Sequence, residues 1–148
     1  IDDAGWRNKC DVVRRALEVN RPDASDPLGT LAKLGGLEIA GLVGVVIGAA
    51  ANRCPVVIDG FISTVAALVA ARIAPLSADY MLPSHLSQER GHRLALESVG
   101  LKPMLEMDMR LGEGTGAVLC FPLVEAAVRM MNEMATFDSA GVSGPTAT

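Results

Sequence analysis

The order of hydrophobic and polar positions along the chain predicts helices that alternate with short strands. Apolar side chains recur at helical spacing in residues 2–19, at Trp6, Cys10, Val13, Ala16 and Leu17. Residues 20–27 are polar and contain two prolines, which is typical of a loop. Asp26 then offers a helix cap with Pro27 at the first helical position, and we expect a short helix that ends before Gly35.

The middle of the chain is its most hydrophobic part. Residues 37–52 predict a buried core helix, because the apolar run at 39–51 is shorter than the roughly 20 residues that a membrane span needs. Gly44 and Gly48 within it are spaced to allow close packing of that helix. Shorter apolar runs predict strands at 54–58, 80–82 and 103–109, and further helices at 61–73, 87–98 and 115–134.

This order of elements predicts an α/β fold, a parallel sheet with flanking helices in a Rossmann-like topology. Three strands make a thin sheet for so much apolar helix surface, and the chain begins with Ile1 and not with methionine. We therefore expect residues 1–137 to be the C-terminal portion of a larger domain, and leave open whether the last helix joins a small helical domain. The small and polar residues 138–148 predict a flexible tail.

Composition and charge narrow the classes of partner. The chain has 13 basic and 17 acidic residues, and its basic residues are scattered without an aromatic platform, which argues against a nucleic-acid partner. Cys10, Cys54 and Cys120 are widely spaced and form no CxxC pair. This usage favours reduced thiols that fill the core of a cytoplasmic protein. No signal peptide is visible, and we expect no membrane partner.

Polar or glycine-rich segments follow all three predicted strands. The first strand is followed by Asp59 and Gly60, the second by Ser84, His85 and Ser87, and the third by residues 110–116, here called the glycine loop. Ligands of open α/β sheets bind at the carboxyl ends of the strands. The three segments together therefore predict a ligand site.

The glycine loop contains one carboxylate, Glu113, between Gly112 and Gly114, just before the last long helix. Glycines let the backbone turn tightly and approach a ligand, and the free N–H groups that open a helix favour an anion. Glu113 is therefore either a carboxylate at the start of the helix or a catalytic base above a bound substrate. Spacing alone leaves both interpretations open.

The other polar residues also have structural interpretations. Asp59 could cap the next helix, and Ser84 or Ser87 could cap the helix that begins near Gln88. His85 is interpreted as a hydrogen-bonded loop residue, and His92 as a solvent-facing residue of its helix. No carboxylate or cysteine stands at metal-ligand spacing from His85, so we predict neither a metal site nor a cofactor.

Several segments resemble one family in the same order along nearly the whole chain. They are the glycine loop (Arg-Leu-Gly-Glu-Gly-Thr-Gly, 110–116), Gly-Gly-Leu-Glu-Ile-Ala at 35–40, Pro-Val-Val-Ile-Asp-Gly-Phe at 55–61, Pro-Ser-His-Leu-Ser at 83–87 and Asn-Glu-Met-Ala-Thr-Phe at 132–137. The chain thus resembles the nicotinate-nucleotide–dimethylbenzimidazole phosphoribosyltransferases. That family transfers 5-phosphoribosyl from nicotinate mononucleotide to a benzimidazole, which gives α-ribazole 5′-phosphate and nicotinate for the nucleotide loop of cobalamin.

The resemblance implies roles for individual residues. Glu113 would be the general base that removes the benzimidazole proton as the other ring nitrogen attacks the anomeric carbon. Residues on the substrate-binding side would be Lys9, Asp59, Gly60, Ser84, Ser87, Leu111, Gly112, Gly114 and Thr115. Among these, Lys9 would neutralise the phosphate unless it is simply an exposed helix lysine, Asp59 would contact ribose hydroxyls, and the N–H groups of Gly114 and Thr115 would hold an anion.

The resemblance also implies what the chain lacks. In the family, another glycine-rich phosphate loop and much of the benzimidazole pocket lie in the N-terminal half, so we expect this chain to be inactive alone and active within a full-length homodimer. Two alternatives stay open at this point. One is a related transferase for another azole or a phenol, and the other is a non-catalytic α/β module that binds a nucleotide.

Overall fold

The computed structural model describes residues 2–142. Its helices are α1 (Asp3–Asn20), α2 (Pro27–Leu34), α3 (Leu37–Ala51), α4 (Phe61–Ile73), α5 (His92–Val99) and α6 (Thr115–Glu133). Its strands are β1 (Val56–Ile58), β2 (Met81–Pro83), β3 (His85–Ser87) and β4 (Leu105–Met109), and a 3-10 helix spans Pro75–Tyr80. The α/β class and the helix–strand alternation predicted from the sequence are confirmed.

The strands form two small parallel sheets that meet at Ser84. β1 pairs with β2, and β3 pairs with β4. Ser84, between β2 and β3, donates its N–H to the carbonyl of Ile58 and accepts the N–H of Leu105. The parallel pairing is as predicted, but the single middle strand predicted at 80–82 is two strands that reach Ser87, each paired with a different neighbour.

Local sequence determines most helix ends as expected. The carboxylate of Asp26 accepts the N–H of Gly29 at 2.8 Å, so it caps α2. Gly100 ends α5 in the left-handed conformation, with φ +77°, which glycine adopts without steric cost. The start of α5 was predicted wrongly, because the helix begins at His92 and not at Ser87. Ser87 belongs to β3, and the N–H of Gln88 bonds to the carbonyl of Met109 as part of the β3–β4 pairing.

The core lies between α3, α4 and the β1–β2 sheet. Its buried residues are Val43, Val46, Ile58, Ala66, Ala67, Ala70 and Met81. The small alanines of α4 allow close packing against α3, and the same cluster includes Ile58 at the carboxyl end of β1. The core therefore supports the edge of the sheet at which the predicted ligand site lies.

The prediction that α3 is a buried core helix holds for only one of its faces in the described residues. Only Val43 and Val46 of this helix are buried, while Val45 is 58% exposed. A methyl group added at Gly44 or Gly48 would meet no atom within 4 Å, so these glycines make no close helix contact among residues 2–142. One face of α3 packs on the core and the other carries exposed apolar side chains.

Cysteine burial also differs from the prediction. Cys120 is fully buried in α6, Cys10 is half-buried and Cys54 is exposed. Burial raises the pKa of the Cys120 thiol, and the neighbouring Asp59 carboxylate adds to that rise. Core filling is therefore confirmed for Cys120 and is wrong for Cys54, which lies beyond the last turn of α3.

The last part of the chain lies only partly within the described residues. The N–H of Val142 bonds to the carbonyl of Phe137, and that of Ala140 to the carbonyl of Thr136, so residues 136–142 form a hydrogen-bonded turn. The remainder of the predicted tail, residues 143–148, lies outside the described residues, as does Ile1. Across 2–142, no helix is both long and apolar enough to cross a membrane.

Candidate active site

A cavity of about 530 Å³ opens at the carboxyl ends of β1, β3 and β4. Its walls include the predicted site residues Asp59, Gly60, Ser87, Leu111, Gly112, Glu113 and Gly114, together with His85. These residues lie far apart in sequence and meet because parallel strands end at the same edge of a sheet. The structure therefore brings together most of the residues that the sequence suggested.

Asp59 is a helix-capping residue, but for a helix remote in sequence. Its Oδ2 accepts the N–H of Gly114 at 3.2 Å and its Oδ1 accepts the N–H of Ala117 at 3.0 Å, both at the start of α6. The adjacent α4 has no side-chain cap. The negative carboxylate thus satisfies two free N–H groups and lies at the positive end of the α6 dipole.

The capping by Asp59 bears on the two interpretations of Glu113. Glu113 makes no hydrogen bond or ion pair with any of residues 2–142, and it lies in the cavity wall. Gly112, Glu113 and Gly114 all have left-handed backbone, with φ of +77°, +56° and +80°. That conformation costs a residue with a side chain about 1–2 kcal/mol, so the loop holds Glu113 in a strained position. Among the described residues, the carboxylate that caps the start of α6 is therefore that of Asp59 and not that of Glu113.

The two N–H groups of the glycine loop that were predicted to hold an anion, those of Gly114 and Thr115, already donate hydrogen bonds within the chain. The N–H of Gly114 donates to Asp59, and the N–H of Thr115 donates to the carbonyl of Gly112 at 3.1 Å. The hydroxyl of Thr115 also donates to Gly112, at 2.7 Å. The predicted anion site on these two N–H groups therefore does not fit this arrangement, because an anion would have to displace a bond within the chain.

Ser84 and His85 form a buried polar pair, in which His85 is part of the cavity wall and Ser84 lies behind it. The Ser84 hydroxyl donates to the carbonyl of Asp59 at 3.1 Å and lies 3.0 Å from Nδ1 of His85. Nδ1 of His85 is also 3.9 Å from Oδ1 of Asp59. His85 makes the hydrogen bond expected of it, but it belongs to β3 and not to a loop. Ser84 is completely buried and does not line the cavity.

The prediction that His92 faces solvent is wrong, because its side chain is fully buried. Its Nδ1 accepts the N–H of Ser87 at 2.9 Å, and its Nε2 lies 2.9 Å from the hydroxyl of Thr64. The Thr64 hydroxyl donates to the carbonyl of Gly60, so Nε2 of His92 carries the proton and the ring is neutral. Burial lowers the pKa of His92, as does His85, while Asp59 raises it.

Two predicted residues remain: Lys9, which lies outside the cavity wall, and Ser87, which lies in it. Lys9 is exposed on α1 and does not line the cavity, so its contact with a phosphate stays a prediction. Ser87 lines the cavity, and its hydroxyl accepts the N–H of Glu89 at 3.2 Å, a local turn that does not cap α5. Neither Ser84 nor Ser87 therefore caps the helix that follows.

The cavity wall also contains residues that sequence reasoning did not select as binding residues. They are Leu42, Phe61, Ile62, Ser63, His85, Glu89 and Arg110. Phe61 and Arg110 directly adjoin selected residues, Gly60 and Leu111, which is a signal that could have found them. Leu42 lies on α3, and only tertiary packing brings it to the strand ends.

This fold and cavity define a class of protein, the parallel α/β proteins that bind a small ligand at the carboxyl ends of their strands. Within that class, a family model described as phosphoribosyltransferase matches residues 1–142. The chain belongs to this phosphoribosyltransferase family.

Individual relatives are similar over almost the whole chain. The nicotinate-nucleotide–dimethylbenzimidazole phosphoribosyltransferase of Desulforamulus reducens is 61% identical over 143 residues, which are 97% of this chain and 41% of that protein. Its namesake from Chloroflexus aggregans is 57% identical over 97% of this chain and 40% of its own length. The crystal structure of the Thermus thermophilus enzyme of that name matches with a TM-score of 0.87 and 45% identity, over 96% of this chain and 42% of that one. The chain thus spans about two fifths of the length of these relatives.

Proposed function

We propose that this chain is the C-terminal part of an enzyme that transfers 5-phosphoribosyl from nicotinate mononucleotide to 5,6-dimethylbenzimidazole. The products are α-ribazole 5′-phosphate and nicotinate, for the nucleotide loop of cobalamin. The names of the relatives support these substrates. The observation that carries the proposal is the free carboxylate of Glu113 in the wall of a strand-end cavity, where Asp59 and not Glu113 caps α6.

The proposed reaction uses this carboxylate as a base. One nitrogen of neutral benzimidazole attacks the anomeric carbon, the bond from that carbon to the pyridine nitrogen breaks, and nicotinate leaves with the electron pair. The carboxylate of Glu113 takes the proton from the other azole nitrogen, which prevents positive charge from building up on the ring. The left-handed backbone of the glycine loop places Glu113 at the cavity wall, where its carboxylate can reach a bound azole.

The substitution Glu113→Gln in the full-length protein tests this role. Glutamine keeps the shape of the side chain and does not accept the proton, so we expect turnover to fall roughly 10²- to 10⁴-fold, while affinity for nicotinate mononucleotide is kept. Product is measured by chromatography of α-ribazole phosphate, and affinity by calorimetry. Glu125→Gln is the matched control, because Glu125 is an exposed residue of α6 paired with Arg129. Full turnover in Glu113→Gln would refute the role of base.

The same assay separates the proposed function from its alternatives. Product from dimethylbenzimidazole in preference to other azoles and phenols would support the named acceptor, and a preference for another acceptor would contradict it. A non-catalytic module would give no product with any acceptor. We expect the 148-residue chain alone to be inactive, since it spans two fifths of its relatives' length.

We further propose that the full-length protein is a cytoplasmic homodimer. The three widely spaced cysteines, which form no CxxC pair, are typical of reduced thiols and so support the cytoplasm as the compartment. Exposed apolar side chains on α1 and α3, such as Val13 and Val45, support an additional partner surface, supplied by the rest of the polypeptide or by a second copy. Sedimentation of the full-length protein tests the dimer. A monomer would contradict it and would leave the rest of the polypeptide as the source of the partner surface.

A further inference from the structure

His85 is a buried titratable residue of the cavity wall that the proposed reaction does not use. Its side chain is only 1% exposed. His85 follows Ser84 in the chain, at the point where the two small sheets meet. The centroid of its ring lies 6.0 Å from that of the His92 ring. The ring is therefore almost completely enclosed by protein, although His85 is part of the cavity wall.

The hydrogen bonds around His85 determine which ring nitrogen carries a proton. The hydroxyl of Ser84 has a single hydrogen, and it donates that hydrogen to the carbonyl of Asp59. Ser84 can then only accept from Nδ1 of His85, 3.0 Å away, so Nδ1 is protonated. In the neutral ring the other nitrogen, Nε2, must carry a lone pair and act as a hydrogen-bond acceptor.

The ring is held in place, and Nε2 is free. Gly116 allows the ring to lie against the backbone of α6, since a methyl group there would be 2.5 Å from Cε1 and 2.8 Å from Cγ. Nε2 makes no hydrogen bond with any of residues 2–142, although the ring lines the cavity. His85 thus presents a fixed, unoccupied acceptor to whatever binds there.

We propose that Nε2 of His85 accepts a hydrogen bond from a ribose hydroxyl of the nucleotide substrate, and that it thereby selects ribose. This inference rests on the proposed function. The phosphate and carboxylate of nicotinate mononucleotide are acceptors when ionised, and the azole proton goes to Glu113, so the ribose hydroxyls are the remaining donors. Both oxygens of Asp59, the acceptor that the sequence suggested for ribose, already receive N–H groups of α6.

The test compares ribose and deoxyribose substrates in the full-length protein. The wild type and His85→Asn are assayed with nicotinate mononucleotide and with its 2′-deoxy and 3′-deoxy analogues. The amide of asparagine replaces Nδ1 and keeps the contact with Ser84, but nothing replaces Nε2. We expect the wild type to lose roughly 10- to 100-fold in kcat/KM for one deoxy analogue. With the natural substrate, kcat/KM of His85→Asn should be lower than that of the wild type by a similar factor. Removal of the hydroxyl from the substrate should then lower kcat/KM of this variant by less than about a further 3-fold.

A second buried histidine provides the control. His92→Asn lies outside the cavity and should keep the full discrimination against the deoxy analogue, even if its overall activity is lower. Undiminished discrimination in His85→Asn would overturn the proposal. Absence of product from ribose substrate in the wild type would instead refute the proposed function, so the two failures differ.

A second variant covers failure of His85→Asn to fold. In His85→Gln, the longer side chain brings an amide oxygen close to the position of Nε2. We expect this variant to retain discrimination between the ribose and deoxyribose substrates, and its loss would overturn the proposal.

Discussion

Replacing Gly116 with alanine should destabilise the protein, because the new methyl group would collide with the buried ring of His85. An ideally placed methyl carbon would overlap Nδ1 of His85, and it would lie 2.5 Å from Cε1 and 2.8 Å from Cγ of the same ring. The ring has little room to move, since Ser84 holds Nδ1 and His92 lies beside it. We therefore expect both neighbours to give way: α6 is strained against the strand ends, and the ring loses its hydrogen bond to Ser84.

The magnitude follows from three effects. Forcing extra volume into a packed interior costs about 1–3 kcal/mol. Breaking the bond between His85 and Ser84 leaves buried polar atoms unpaired and costs roughly another 1–3 kcal/mol. Alanine in place of a helical glycine returns at most about 0.5–1 kcal/mol, since Gly116 lies in the first turn of α6. We therefore expect the free energy of unfolding to fall by roughly 1–5 kcal/mol.

Urea unfolding of the full-length protein, followed by circular dichroism, measures this loss. A double-mutant cycle isolates the collision, because His85→Ala removes the ring that the methyl group would strike. Gly116→Ala should cost much less in the His85→Ala background than in the wild type. The same cost in both backgrounds would show that the collision with His85 is not the cause.

Two further predictions concern His92 and Asp59. Because the pKa of His92 is lowered in the folded state, its contribution to stability is complete above its ordinary pKa of 6.5 and is lost as the pH falls from there towards the lowered value. Urea midpoints between pH 8 and pH 5 should show this loss, and His92→Asn should reduce it; an unchanged slope would contradict the neutral buried ring. Asp59→Asn should remove one of the two caps of α6, at about 0.5–2 kcal/mol, and lower kcat more than it changes KM for the nucleotide. A raised KM with unchanged kcat would instead favour the ribose contact predicted for Asp59 from the sequence.

Much of the fold could be predicted from the sequence because it depends on local patterns. Asp26 and Pro27 start α2, Gly100 ends α5, and the apolar run at 115–134 forms α6 almost as predicted. The start of α5 could not be predicted in this way. The segment after Ser87 has helical spacing, but pairing with β4 satisfies the N–H of Gln88, and a partner 21 residues away is invisible to a local pattern.

The candidate site divides in the same manner. Glycines and polar residues at the ends of predicted strands indicated where a ligand would bind, and the cavity lies there. The roles within the site were harder to predict. A helix cap is usually sought within a few residues of the helix, whereas the cap of α6 comes from Asp59, 55 residues before Gly114.

The sequence by itself determined that this chain is an α/β phosphoribosyltransferase-family protein with its polar residues at the strand ends, because periodicity, capping residues and the segment around Glu113 are local features. Only the tertiary structure decided which carboxylate caps α6 and which hydrogen bonds the buried histidines make. Asp59 caps α6 and leaves Glu113 unengaged, while Ser84 fixes the proton of His85. The physical reason is that a hydrogen bond depends on distance and direction in space, and the folded backbone sets both.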